Sequence, residues 1–151
     1  MGEETLYVKE IYPSIQGEST WVGEPCVFLR LTGCDLRCSW CDTEYAFHGG
    51  EHRALDEILA EVAGYGIDLV EVTGGEPLLQ DNVVPLTTRL CDAGFTVLIE
   101  TAGHRDISVL DPRVIRIMDV KCPGSCEADR NWRENVDLLI PGDEVKFVLA
   151  D

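Results

Sequence analysis

Six β-favouring runs, at residues 7–12, 26–31, 69–72, 95–99, 114–120 and 144–149, alternate with stretches of helical period. Leu55, Ile58, Leu59 and Val62 recur at helical spacing ahead of Gly64 and Gly66. Leu86 and Leu90 share one face within 83–93, which Gly94 stops, and a further helix is expected over 131–140. Residues 13–17 and Lys121-Cys122-Pro123-Gly124 read as turns. Strands alternating with helices specify a parallel sheet joined by right-handed crossovers. The main polar and glycine-rich motifs leave the C-terminal ends of these runs, where open sheets and (β/α) barrels build their sites. The expected fold is α/β, an open, partial (β/α) barrel of mostly parallel strands, in a single domain over residues 1–151. With no helix or tail after the last run, the C-terminal part reads as shortened, or as that of a very compact family member.

Composition narrows the function. The chain has 151 residues and a formal charge of −16, which disfavours direct binding to nucleic acid. No apolar run reaches the roughly 18 residues a membrane span needs, and the acidic N-terminus shows no signal peptide. Seven cysteines without a secretion signal point to the reducing cytoplasm and to metal or redox use.

Those cysteines concentrate in Gly33-Cys34-Asp35-Leu36-Arg37-Cys38-Ser39-Trp40-Cys41-Asp42-Thr43, directly after the run at 26–31. Cys34, Cys38 and Cys41 have Cys-x3-Cys-x2-Cys spacing and can converge on one centre. A structural zinc site needs four ligands, and neither His48 and His52 nor Cys122 and Cys126 offer a persuasive second half. A disulfide reading meets cysteines too close in sequence and an odd total. An iron–sulfur cluster is usually held by four thiolates, so three would leave one iron open to a non-protein ligand. Zinc and cluster both remain open on spacing alone. Thr73-Gly74-Gly75-Glu76-Pro77 follows the next strand and falls on the same rim, where glycines let a backbone approach closely.

In combination, Cys34-x3-Cys38-x2-Cys41, Trp40 before the last cysteine and the downstream Gly-Gly-Glu-Pro resemble the radical S-adenosylmethionine (SAM) superfamily. That resemblance implies a 4Fe-4S cluster on the three cysteines, with SAM chelating the open iron and yielding a 5′-deoxyadenosyl radical that takes hydrogen from substrate. Three further segments narrow the likeness. Tyr12-Pro13-Ser14-Ile15-Gln16-Gly17-Glu18-Ser19, Phe28-Leu29-Arg30-Leu31-Thr32-Gly33-Cys34 and Trp40-Cys41-Asp42-Thr43 together resemble the 7-carboxy-7-deazaguanine synthase family, from about residue 7 onward. The implied enzyme is a carbon–nitrogen lyase of queuosine and 7-deazapurine biosynthesis. It contracts 6-carboxy-5,6,7,8-tetrahydropterin with loss of ammonia, returns SAM intact and uses Mg²⁺. Relatives of this kind imply a homodimer and a flavodoxin- or ferredoxin-like reductant.

Carried over by position, the resemblance gives Ile15, Gln16, Gly17 and Glu18 to the pterin, Arg30 to its carboxylate, and Thr73 to substrate. It gives Cys34, Cys38 and Cys41 to the cluster, and Ser39, Trp40, Asp42 and Gly75 to SAM or the cluster. Thr43 offers a hydroxyl oxygen to Mg²⁺, a hard cation, and Glu100 and Thr101 face the same cavity. Asp119, Val120 and Lys121 stand where many relatives carry a Ser-Pro-Lys-like segment that contacts SAM. The family also continues past this length with a further SAM contact and a carboxylate reaching the pterin. Elsewhere, Cys26 and Cys91 read as core residues, His48 and His52 as solvated loop residues, His104 as a loop-surface residue, and Glu76 as the holder of the Gly-Gly turn. Two alternatives stand beside the lyase: a radical SAM enzyme that activates a glycyl radical on a partner protein, and a non-catalytic zinc module.

Overall fold

The computed structural model describes residues 4–149. Its strands are β1 (Thr5–Ile15), β2 (Pro25–Leu31), β3 (Glu51–Ala54), β4 (Leu69–Gly74), β5 (Thr96–Thr101), β6 (Ile115–Asp119) and β7 (Glu144–Lys146). They form one open sheet in the order β3-β1-β2-β4-β5-β6-β7. β1 runs antiparallel to both its neighbours, and every pairing from β2 to β7 is parallel. The expected open α/β sheet of mostly parallel strands is therefore present.

Alternation along the central strands assigns each side chain to one face. Val27, Leu29, Leu31, Val70, Val72, Val97 and Ile99 belong to the main core. Two helices cover it, α1 (Leu55–Gly64) through Leu55, Ile58 and Val62, and α2 (Val83–Asp92) through Val83, Leu86 and Leu90. Burial of each such side chain contributes about 1.5–3 kcal/mol. The residue capping the start of α1 is Ala54, which has no side-chain acceptor, and Glu57 reaches back to accept the Ala54 N–H at 3.3 Å. α2 ends two residues before Gly94, whose φ of +93° leaves the helix as the sequence predicts. No helix crosses between β5 and β6; buried Ile107, Leu110 and Val114 complete the core there instead. The opposite face carries a smaller apolar cluster of Cys26, Leu69, Leu98 and Ile117, with polar side chains above it. No described helix is long and apolar enough to cross a membrane.

Four expectations change. The first strand does not stop at Pro13, which lies within β1 opposite Val27. β3 reaches β1 only over Thr5 to Val8, so further along β1 has an open edge that tolerates a missing N–H. His52, expected in a loop, belongs to β3, where its Nδ1 lies 3.1 Å from the Thr5 hydroxyl, while His48 remains in the loop. The helix expected over 131–140 is a 3₁₀ stretch, Arg133–Leu138. Fully buried Asn135 spends its side chain on the Ile107 N–H and on the Gly103 and Arg105 carbonyls, which holds the segment in a tertiary rather than a helical arrangement. The last strand ends at Lys146 rather than at 149.

Leu29 is completely buried in β2, between β1 and β4. Leu29→Ala is expected to lower unfolding stability by about 2–5 kcal/mol. Val109→Ala, at a half-exposed position, is expected to shift it by less than about 0.5 kcal/mol. Equilibrium urea denaturation of the two variants checks the contrast.

Candidate functional site

A cavity of about 720 Å³ opens at the C-terminal ends of the parallel strands. Phe28 and Arg30 of β2, Glu71 and Thr73 of β4, Glu100 of β5, Asp119 of β6 and Lys146 of β7 line it from the sheet. Cys34, Cys38, Trp40, Cys41, Asp42 and Thr43 supply a second wall, and Gln16, Gly17 and Glu18 a third.

Glycine is required where the first two walls meet. A Cβ on Gly75 would lie 2.3 Å from the Gly33 carbonyl oxygen and 2.5 Å from Cys34 Cβ. The Glu76 N–H then donates to that Gly33 oxygen at 2.9 Å, joining the loop after β4 to the cysteine loop. Glu76 itself is completely buried. Its carboxylate accepts from the Leu78 N–H at 2.9 Å, the Ala102 N–H at 2.8 Å and the Thr101 hydroxyl at 2.9 Å. Pro77 opens the 3₁₀ turn that follows, so Glu76 holds the turn, as the sequence indicates. The acid also fixes that turn to the exit of β5.

The cysteine loop is anchored from behind by Asp35. His104 Nε2 lies 2.8 Å from its Oδ1, and Arg105 and Arg130 reach Oδ2 at 2.8 and 3.4 Å. Burial works to raise the Asp35 carboxyl, but the hydrogen bonds and charge of His104 and Arg105 hold it below the usual carboxylate range. His104, expected on the loop surface, is thus almost fully buried beneath the site. Further along, the Ser39 hydroxyl donates to the Gly124 carbonyl at 2.6 Å and its N–H to Ser125 at 3.0 Å. Glu127 accepts the Arg37 N–H at 2.6 Å. Burial pushes the Cys34 and Cys38 thiols up, and at Cys38 the Lys121 ammonium pulls the other way.

Lys146 Nζ bridges Glu18 at 3.1 Å and Glu100 at 3.3 Å, and Thr73 donates to the second Glu100 oxygen at 3.4 Å. A register shift between Val8 and Glu10 sets Glu10 opposite Arg30, whose Nε it holds at 2.9 Å. Lys121 pairs with Asp119 at 2.5 Å, while the buried Asp119 Oδ1 has no protein partner among the described residues. The buried Gln16 amide donates to Glu71 Oε1 at 2.6 Å.

Residues 29–119 match the family described as the radical SAM superfamily. The chain is 51% identical over 148 residues to 7-carboxy-7-deazaguanine synthase of Koribacter versatilis, covering 97% of this chain and 66% of that protein. Its counterpart in Thermoplasma acidophilum is 38% identical over 148 residues, covering 97% and 71%. The chain belongs to the 7-carboxy-7-deazaguanine synthase family of the radical SAM superfamily. The crystal structure of QueE from Escherichia coli shares the fold, with a TM-score of 0.71 at 23% identity over 95% of this chain and 82% of that one. A match in Chlorobaculum tepidum, 44% identical, is covered over 63% of its length, so this chain spans about two thirds of these curated relatives.

Radical SAM membership brings a 4Fe-4S cluster and SAM, and the residues present fit them. Three free thiols open into one cavity. Among the described residues no three His, Cys, Asp or Glu side chains converge closely enough to share one ion, whereas a cubane takes each thiolate on a separate iron. The unsatisfied Asp119 oxygen offers an acceptor on the same wall as Lys121. Of the residues the family resemblance nominates, Ile15, Ser39 and Val120 lie outside the lining. Ile15 is an exposed strand end, Ser39 bonds the loop beneath, and the Val120 N–H donates to the Lys146 carbonyl. Cys122 and Cys126 belong to that supporting loop, outside the cavity lining. Sequence reasoning missed Glu71, Lys146, Phe28 and the Asp35 anchor. An acid in the otherwise apolar Leu69-Val70-Glu71-Val72, two residues before Thr73, was the available signal for the first.

Glu76→Ala would leave the Thr101 hydroxyl and the Leu78 and Ala102 N–H groups without their acceptor. A loss of about 3 kcal/mol or more is expected, read as a lowered urea midpoint, with Thr101→Val recovering part of it in the double variant.

Proposed function

We propose that this chain forms the catalytic domain, over residues 1–151, of a 7-carboxy-7-deazaguanine synthase. This carbon–nitrogen lyase converts 6-carboxy-5,6,7,8-tetrahydropterin to 7-carboxy-7-deazaguanine with loss of ammonia. The observation that carries the reading is the shared cavity: the three cysteine thiols open into the same space as Arg30, Thr73 and the Gln16 segment. The relatives of that name at up to 51% identity support it.

In this reading Cys34, Cys38 and Cys41 hold the 4Fe-4S cluster. Together with SAM it supplies the 5′-deoxyadenosyl radical that takes hydrogen from the substrate. Trp40, Gly75, Asp119 and Lys121 hold SAM, while Ser39 and Val120 brace the loop and strand end behind them. Arg30 receives the substrate carboxylate, and the Glu10 contact fixes the plane of its guanidinium for that paired recognition. Gln16, Gly17, Glu18 and Thr73 position the heterocycle, and Ile15 ends the strand that delivers the first three. Thr43, whose hydroxyl lies 3.0 Å from Asp42 Oδ1, gives an oxygen to Mg²⁺. Phe28 shields the reacting face from water. The enzyme works in the cytoplasm as a homodimer, and a flavodoxin- or ferredoxin-like carrier supplies electrons.

Anaerobically reconstituted protein with SAM, Mg²⁺, a reductant and the tetrahydropterin is expected to form the 7-deazapurine acid. Arg30→Ala should raise KM at least about tenfold, as loss of a charge-assisted contact predicts. A protein that carries a full cluster, cleaves or binds SAM and yet yields no product would overturn the assignment.

A further inference from the structure

Register places Glu71 in the floor of the cavity, between Phe28 of β2 and Leu98 of β5. The residue is 3% exposed. Gln16 occupies Oε1, and Oε2 has no partner among the described residues. Other acids of the lining are engaged: Glu18 and Glu100 share Lys146, Asp119 holds Lys121, and Asp42 accepts from Thr43. Asp42 is exposed, so Glu71 is the buried carboxyl group of this lining with no contacting cation and an oxygen left open to the cavity. Burying such a group without a full set of partners is costly, so its retention on a central strand asks for a ligand that completes it.

We infer that Glu71 reads the hydrogen-bond-donor edge of the substrate's 2-aminopyrimidinone ring, beside the apolar face of Phe28. The inference rests on the substrate class proposed above. That ring edge presents N–H groups from the 2-amino substituent and from N3, which a carboxylate oxygen accepts. Phe28 lines the same floor and is held by stacking on Tyr12, with centroids 5.5 Å apart and planes 16° from parallel. Gln16, fixed by Glu71, becomes a positioning contact for the same edge.

The protonation state of Glu71 couples to binding. Burial first, and the Glu100 charge second, push its carboxyl up to about 7, while the Gln16 hydrogen bond and Lys146 pull it down and Glu18 adds to the rise. On β2, Cys26 faces it as a neutral thiol, its ionisation pushed up to about 12 by burial and by Glu71. The donor edge requires the ionised carboxylate, so a proton leaves when the ring binds below the free-protein value. Affinity therefore falls as pH drops below about 7, by at most tenfold per unit.

Holoprotein reconstituted with iron and sulfide and loaded with SAM is titrated with fluorescent 6-carboxypterin, and with 6-carboxylumazine, in which a carbonyl replaces the 2-amino group. Wild-type protein is expected to prefer the pterin at least about tenfold, because the site is built for a donor. Its pterin affinity should weaken from about pH 7.5 to 5.5. Glu71→Gln, a near-isostere, should weaken pterin binding roughly 10- to 100-fold, abolish the pH dependence, and narrow or reverse the preference, since its amide can donate to the carbonyl. Retention of both preference and pH slope in a folded Glu71→Gln protein overturns the inference. Wild-type protein alone also decides it: equal, pH-independent affinity for the two probes overturns the role of Glu71 and leaves the substrate class standing. Binding of SAM but of neither probe overturns the pterin reading, and the role of Glu71 with it.

Discussion

The closeness of two backbones governs this site. The cysteine loop leaves β2 and the Thr73-Gly74-Gly75-Glu76 loop leaves β4, and they touch where Gly75 meets Gly33 and Cys34 without room for a methyl group. Parallel pairing brings the two strand ends side by side, but it does not fix the loops beyond them. Glu76 does, by donating its N–H to the first loop while its buried carboxylate gathers donors from its own turn and from β5. A buried acid is tolerable only when its hydrogen bonds are met, so the three segments are ordered together or not at all. The cavity wall is a consequence of that requirement.

Charge is distributed within the cavity by the same logic of satisfaction. A chain with 12 Lys and Arg against 28 Asp and Glu has few cations, yet Arg30, Lys121 and Lys146 all line this space. Burial opposes the charge on Lys146, but the nearby Glu100 and Glu18 carboxylates outweigh it and raise its pKa well above the ordinary lysine value. Its charge therefore persists beside the two acids it bridges. Glu71, one layer deeper between apolar neighbours, receives less of that field. The rise at Glu71 comes first from its depth along the strand, not from residue type.

The sheet and its helices were legible because β-favouring runs and helical spacing mark them directly, as at residues 26–31, 69–72 and 55–62. The cysteine wall and the Gly-Gly-Glu-Pro loop were legible because both follow strand ends. Pro13 misled because edge exposure, which makes it harmless, depends on how far β3 extends along β1. Arg133–Leu138 misled because Asn135 satisfies distant backbone groups that no local pattern reveals. Lys146 and His104 were hidden for a related reason: their partners lie 46 or more positions away in the chain. Glu71 was hidden by its setting, since an acid within an apolar run is not distinguished from a solvated strand residue until both faces of the strand are known to be covered.

The cysteine loop is also held without help from a metal. Asp35 is gripped by His104, Arg105 and Arg130, Ser39 is bonded to the 124–125 backbone, Arg37 to Glu127, and Gly33 to both Ala46 and Glu76. In many small metal domains the ion supplies the folding energy, because no other group orders the ligands. Here the ordering entropy of the cysteine loop is met by side chains other than its cysteines. Metal binding can then act mainly through deprotonating buried thiols whose ionisation burial opposes, and Lys121 is the cation placed to assist it at Cys38. A loop preorganised in this way separates two jobs: distant residues set its shape, and the three cysteines are left to set its chemistry.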